Sequence, residues 1–297
     1  MRPSLSPGKL AQVACILEAT ARKPGNVHRF RDFDDLDYLD FILSAAAVAD
    51  PLDRARTEGV GAAVLAAVEA TRRVVATNSN LGMILLLGPL AAVPAEESLG
   101  EGMVRVLEAT TIGDARKVYR AIRLADPGGL GEAAEQDVRD EPTITLRDAM
   151  VLAADRDLIA RQYADGFAEV LREGLPALRR WLDEGRPLET AIIGAFLDLL
   201  SRHPDSLIAR KAGSERAVEA SRRAGEVLAA GWPDDDAGRA AFCDLDAMLR
   251  SDGHRLNPGA TADLTAAVLF AALRDGTIEL PRPVGPLGWS DDVARST

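Results

Sequence analysis

Apolar residues along this chain recur three and four positions apart far more often than they alternate, which is the spacing of helix faces rather than of strands. Leu10, Val13, Ala14 and Leu17 mark one face of a helix predicted over residues 7–21. An Ala- and Val-rich pattern over residues 60–75, entered from about Thr57, predicts a second long helix. Met83 to Leu87 is apolar on every side and has to lie inside, with Pro89 and Pro94 expected to end that segment. Helical patterns follow over residues 102–109 and 114–125, the latter turning Val118, Ala121, Ile122 and Ala125 inward. Thr145 has the form of an N-cap, and Phe167 to Leu182 reads as an amphipathic helix bent or interrupted near Gly174 and Pro176. Residues 188–200 are apolar enough to be central, and residues 214–230 and the stretch closing at Leu273 are helical again. The pattern predicts an all-α protein, a single compact bundle of about eleven to thirteen helices with no significant sheet. It assigns residues 1–280 to one helical domain and the proline-rich 281–297 to a partly ordered arm.

The polar breaks between these helices carry the candidate chemistry. Thr77-Asn78-Ser79-Asn80-Leu81-Gly82 stands between two apolar patterns, so its amides either cap a helix or hold a polar ligand. Lys23-Pro24-Gly25-Asn26 closes the first helix; the glycine permits a positive φ and the lysine sits beside free backbone N–H groups, which suits a phosphate as well as a plain turn. Asp32, Asp34, Asp35, Asp37 and Asp40 crowd one helix start. Capping and the helix dipole account for some of them, and the excess leaves at least two that could converge on a metal. Arg210 and Lys211 precede Gly213 at a helix break, where two adjacent cations either grip a phosphate chain or make a solvated turn. In Asn257-Pro258-Gly259-Ala260-Thr261-Ala262-Asp263, proline and glycine set a tight lead-in, with Thr261 and Asp263 in the first helical turn. Pro127-Gly128-Gly129-Leu130-Gly131 is glycine-rich but fits no phosphate-loop or dinucleotide spacing.

Composition narrows the picture. At 47% hydrophobic but only 4% aromatic, the core must come from closely approaching helices. A net charge of −11 with no long basic run argues against nucleic-acid binding, while leaving room for a phosphorylated small molecule. No apolar run reaches the roughly 20 residues of a membrane span, and Gln12, Glu18 and Arg22-Lys23 spoil a signal-peptide reading of the first helix. The expectation is a cytoplasmic protein with no membrane partner. Cys15 and Cys243 match no metal or redox spacing and read as reduced core residues.

Taken in order, several of these stretches resemble the triphosphoribosyl-dephospho-CoA synthase family. They are Glu18 with Lys23-Pro24-Gly25-Asn26, then Thr77 to Gly82 with the apolar sequel to Leu90, then Asn257 to Leu264. Asp114-Ala115-Arg116, Gly129-Leu130-Gly131 and Asp157 to Tyr163 support the match, which spans most of the chain. The resemblance implies an all-helical enzyme that joins the triphosphoribosyl group of ATP to 3′-dephospho-CoA and releases adenine. Such a reaction displaces a base at C1′ of a ribose, so it asks for carboxylates to bind Mg²⁺, to offset oxocarbenium charge and to take a proton. On this resemblance Asp35 and Asp37 are the metal candidates, and Glu18 or Asp263 the base. Lys23, Arg210 and Lys211 would neutralise phosphates, while Asn78, Asn80 and Asn257 would read ribose or phosphate oxygens. Gly25, Asn26, Thr77, Gly82, Gly259 and Thr261 complete the nucleotide site. The chain departs from the family by placing Phe33 where a histidine is usual; His28 is the candidate replacement. Mg²⁺ with ATP is the expected cofactor, small-molecule nucleotides the partners, and a homo-oligomer is open. Transfer to a different cofactor precursor, as in a one-carbon carrier pathway, N-glycosidic hydrolysis and a non-catalytic helical module remain alternatives.

Overall fold

The computed structural model describes residues 5–128 and 135–280. The arm expected at 281–297 and the Gly129-Leu130-Gly131 part of the glycine-rich loop lie outside the described residues. Among those described there are fifteen α-helices and no β-strand. The all-α expectation holds, and thirteen of the helices are seven residues or longer.

In chain order the helices are α1 (Pro7–Thr20), α2 (Tyr38–Asp53), α3 (Ala55–Glu58), α4 (Val60–Arg72), α5 (Leu81–Ala92), α6 (Leu99–Glu108), α7 (Ile112–Ala125) and α8 (Leu146–Val151). After α9 (Leu158–Asp165) comes a π-helical turn (Glu169–Gly174) that runs straight into α10 (Leu175–Asp183). The chain finishes with α11 (Leu188–Arg202), α12 (Ser206–Ala212), α13 (Ser214–Ala229), α14 (Asp236–Leu249) and α15 (Gly259–Arg274).

Helix α15 is the axis of the fold, buried along almost its whole length. It packs against α1, α5, α11 and the π-helical turn. One group of helices, α1, α2, α4, α5 and α7, closes on it from one side; a second, α10, α11, α13 and α14, joins it through α11. Small residues make the close approach feasible: a Cβ added at Gly174 would meet Val268 Cγ2 at 2.4 Å. That is how helices come close together in a core so poor in aromatic residues.

Three local outcomes have clear physical causes. The helix expected from Thr57 is instead split, because Gly59 at φ 91° breaks α3 from α4. Pro89 does not end α5, which continues to Ala92 and stops before Pro94. A proline there leaves the Leu85 carbonyl without its helical donor, and the buried Tyr163 hydroxyl donates to it at 2.6 Å. The interruption expected near Gly174 is the π-helical turn, reached through Gly166 and Phe167 with φ of 66° and 63°. Thr145 is the N-cap it resembles, accepting from the Asp148 N–H.

Candidate active site

Four polar segments far apart in sequence meet near the N-terminal end of α15. The end of α1 supplies Glu18, buried to 2% exposure, and Lys23, fully buried, with Lys23 Nζ at 2.9 Å from Glu18 Oε1. The same ammonium donates to the Glu18 and Ala21 carbonyls at 2.5 and 3.3 Å, so all of its donors are engaged. Gly25 follows at φ 75°, where a Cβ would meet Leu249 Cβ at 2.6 Å. The Asp246 carboxylate of α14 accepts from the Gly25 N–H, and Arg250 just beyond α14 donates to the Asn26 carbonyl. Asn26 Nδ2 donates to Asn257 Oδ1 at 2.5 Å, tying this loop to the approach to α15. Asn26 Oδ1 is buried with no partner.

Asp263 projects from the second turn of α15, one turn later than the sequence suggested because the helix begins at Gly259, toward the N-terminus of α5. A Cβ at Gly82 would lie 1.9 Å from Asp263 Oδ2, so glycine is what admits the carboxylate. The Met83 N–H hydrogen-bonds it, at the positive end of α5. Burial nonetheless pushes Asp263 well above the usual carboxylate range, and the charges of Glu18, Asp205 and Asp157 push it further. Burial also raises Glu18, against the pull of the Lys23 ammonium. A carboxyl that holds its proton more tightly than usual is suited to give one up or take one back during a reaction.

Asp205 and Asp157 were not among the site candidates read from the sequence. Asp205 is fully buried and accepts from the N–H groups of Leu207, Ile208 and Thr261 and from the Thr261 hydroxyl, at 2.8, 3.1, 2.7 and 2.8 Å. It thereby joins the N-termini of α12 and α15, though burial still raises its pKa. Asp157 caps α9 and pairs with Arg210 at 3.3 Å. Each follows the ordinary N-cap pattern, an aspartate before a helix, so nothing local distinguishes them from caps; only the convergence of three helix starts does. A Cβ on Gly259 would meet Leu207 Cδ2 at 2.6 Å, which keeps α12 close to this junction.

Several cations lie near these segments, Lys23 paired with Glu18, Arg210 with Asp157, and Arg22 and Arg29 with Glu189. His28 is buried, and burial followed by the charges of Arg250, Lys23, Arg22 and Arg29 pushes its pKa down to about 3. The imidazole is therefore neutral over the physiological range, with its Nδ1 accepting from the Phe30 N–H at 3.3 Å. Lys211 lies within the fields of both Asp35 and Asp205; burial and Arg210 lower its pKa.

The remaining candidates are placed differently. Asp37 is the N-cap of α2 in a reciprocal capping box with Asp40. Asp35 is 57% exposed, with its carboxylate 2.9 Å from His254 Nδ1. Asn78 Oδ1 accepts from the Leu81 N–H, and Asn80 Nδ2 donates to Thr71 of α4 at 3.3 Å. Thr77 lies on that same side, lining a small chamber with Thr71 and Asn80. So the Thr77–Gly82 stretch faces two ways, with its amides toward α4 and Gly82 toward Asp263. Among the described residues no group of three or more His, Cys, Asp or Glu side chains is placed to hold a metal ion.

Comparison with known proteins agrees with this architecture. The family model for ATP:dephospho-CoA triphosphoribosyl transferase matches residues 4–281. A Klebsiella pneumoniae protein named 2-(5″-triphosphoribosyl)-3′-dephosphocoenzyme-A synthase is 35% identical over 37% of this chain and 39% of its own length. A Pseudomonas fluorescens protein described as a probable synthase of the same name is 36% identical over 65% of this chain and 59% of its own. These alignments are partial, spanning 35% to 62% of the length of the curated relatives compared. The crystal structure of a candidate triphosphoribosyl-dephospho-CoA synthase from Archaeoglobus fulgidus superimposes with a TM-score of 0.61 at 28% identity, covering 78% of this chain and 98% of that one. A match running through α1 to α15, and so through every segment that builds the acid cluster, places this chain in the ATP:dephospho-CoA triphosphoribosyl transferase family.

Proposed function

We propose that the chain transfers the triphosphoribosyl group of ATP to a hydroxyl of 3′-dephospho-CoA and releases adenine. In this step the C1′–N bond to adenine breaks, a C1′–O bond forms to the acceptor, and the hydroxyl proton is removed as the departing base gains one. The observation that carries the proposal is Asp263, a carboxyl whose pKa is raised by burial and by three neighbouring acids, set at the N-terminus of α5 where the Met83 N–H hydrogen-bonds it. As proton carrier, Asp263 would serve the acceptor hydroxyl or the leaving base. Glu18, held by Lys23, would offset the positive charge that develops at C1′. Asn26 Oδ1, buried and unpartnered, and the Asn257 amide are the polar groups available to sugar hydroxyls.

Mg²⁺ enters this proposal as part of the ATP substrate, coordinated mainly by phosphate oxygens and water, as is usual for that ion. Asp37 is engaged as a cap, so of the two sequence candidates the exposed Asp35 is the better placed to meet it. Lys211 lies in the field of Asp35, and with Arg210, which pairs with Asp157, it would face the triphosphate. No helix among the described residues is long and apolar enough to cross a membrane, and a cytoplasmic setting for this chemistry is part of the proposal.

The test is to incubate the pure protein with MgATP and dephospho-CoA, following adenine by chromatography and the acceptor by mass. Adenine with an acceptor heavier by one triphosphoribosyl group supports the reading. Adenine formed without any acceptor would indicate hydrolysis, adenine with a different acceptor would redirect the substrate, and no adenine with any acceptor would remove the enzyme reading.

A further inference from the structure

A cavity of about 520 Å³ opens between the C-terminal ends of α4 and α7, lined among the described residues by Glu69, Arg72, Arg73, Arg120, Arg123 and Leu124. On each helix the three residues fall at i, i+3 and i+4, so two packed helices present matching faces to one groove. Arginines near helix C-termini complement the dipole, which accounts for Arg72 and Arg123 individually. It does not account for four guanidinium groups gathered in one groove of a chain whose net charge is −11.

The arginines are also held in place. Arg120 pairs with Glu69 at 2.9 Å, which neutralises the one acid of the lining. Arg123 donates to the Val138 carbonyl at 2.6 Å, and Arg72 to the Ala76 carbonyl. Each of these contacts leaves further N–H groups on a planar fork whose geometry matches phosphate oxygens. Arg73 has no side-chain partner among the described residues.

A second observation points the same way. Through Arg72 the groove adjoins a small chamber bounded by Thr71, Thr77, Asn78, Asn80 and Leu81. Thr77 Oγ1 is buried there without a partner. The chamber has room for about one water, which could link that hydroxyl to an anion in the groove. This is the α4 side of the Thr77–Gly82 stretch, whereas Gly82 and Met83 face Asp263.

We propose that this groove is a second anion site, separate from the acid cluster, that takes the phosphate chain of a nucleotide or CoA-type molecule. The groove is shallow and open, and arginine forks around it suit a di- or triphosphate better than a single carboxylate. The proposal does not depend on the transfer chemistry assigned to Asp263.

The experiment is calorimetric titration of the full chain with inorganic triphosphate at two salt concentrations. It compares the unaltered protein, Arg210→Gln/Lys211→Gln, which removes the cations assigned to the triphosphate at the acid cluster, and the same variant carrying Arg73→Gln/Arg123→Gln as well, each checked for folding by circular dichroism. The expected result is salt-sensitive binding that persists in Arg210→Gln/Lys211→Gln and weakens tenfold or more when the groove arginines are also replaced. Both substituted groove arginines are exposed, and Arg73→Ala in the same background serves as the milder variant, expected to weaken binding by about threefold or more. Competition in Arg210→Gln/Lys211→Gln by ATP and by dephospho-CoA then identifies the source of the phosphate chain. Unchanged affinity on replacing the groove arginines, complete loss of binding in Arg210→Gln/Lys211→Gln, or displacement by neither nucleotide would each overturn the proposal.

Discussion

Two sets of carboxylates in this protein invite comparison. The run from Asp32 to Asp40 is dense, contiguous and obvious in the sequence, whereas Glu18, Asp157, Asp205 and Asp263 are scattered over most of the chain. In the structure the dense run is largely exposed and mostly engaged within its own segment: Asp32 accepts from the Tyr38 N–H and Asp37 and Asp40 form a capping box, while Asp35 makes an exposed pair with His254. The scattered set is drawn together by α1, α9, α12 and α15, and burial raises Glu18, Asp205 and Asp263. Density along the chain reflects the needs of one helix end. Convergence in space, with desolvation and like charge acting on the same groups, raises their pKa values and makes them the candidates for the proposed chemistry.

The comparison can be broken or sharpened by substitution, and the largest effect on the fold is expected at Glu18. Glu18→Ala leaves the fully buried Lys23 ammonium without its counter-charge, which should cost about 3–5 kcal/mol in urea unfolding. A loss below about 1 kcal/mol would mean that the ion pair is not buried as described.

The pH dependence of stability separates the two sets next. Asp263 binds its proton more tightly folded than unfolded, so its contribution is fully present below the ordinary carboxyl value of 3.8 and is lost as pH rises through its raised folded value. Asp263→Asn should therefore flatten a decline in stability on the way from acid to neutral pH, relative to the unaltered protein. His28 works in the opposite sense, since its pKa falls from 6.5 to about 3 on folding. Its contribution is present above the unfolded value and is lost as pH falls from about 6.5 toward 3, so His28→Asn should remove an acid-side loss. Urea titrations across this range distinguish the two slopes.

Effects in the dense run should be smallest. Asp37→Ala removes a cap and should cost about 1 kcal/mol. Asp35→Asn, breaking an exposed pair with His254, should cost about 0.2–1 kcal/mol, with the lower end at high salt. Thermal or urea unfolding of the pair checks both, and a loss at either position matching that of Glu18→Ala would erase the distinction.

How far the sequence revealed this depends on the kind of signal. Helix faces were legible because their period is local, and so were the Thr145 cap and the break near Gly174. The passage of α5 through Pro89 was not, because the donor that satisfies Leu85 is Tyr163, 78 residues away along the chain. In the candidate site, Glu18, Lys23, Asn26, Asn257 and Asp263 were singled out as polar groups at helix ends and are found close together. Asp205 occupies an ordinary cap position, which carries no local sign of its second set of donors, from Thr261 on another helix. Asn78 and Asn80 drew notice as amides in an apolar setting, and that setting turned out to supply partners of its own on α4 and α5.

The central claim is that the buried carboxylates, not the dense acidic run, carry the reaction. It is tested most directly by the rate of adenine release from MgATP and dephospho-CoA for Asp263→Asn beside Asp35→Asn, at saturating substrate. The account predicts a fall of about 10²–10⁴-fold in kcat for Asp263→Asn and a far smaller effect for Asp35→Asn, felt mainly in KM. Near-normal turnover by Asp263→Asn together with an inactive Asp35→Asn would contradict it.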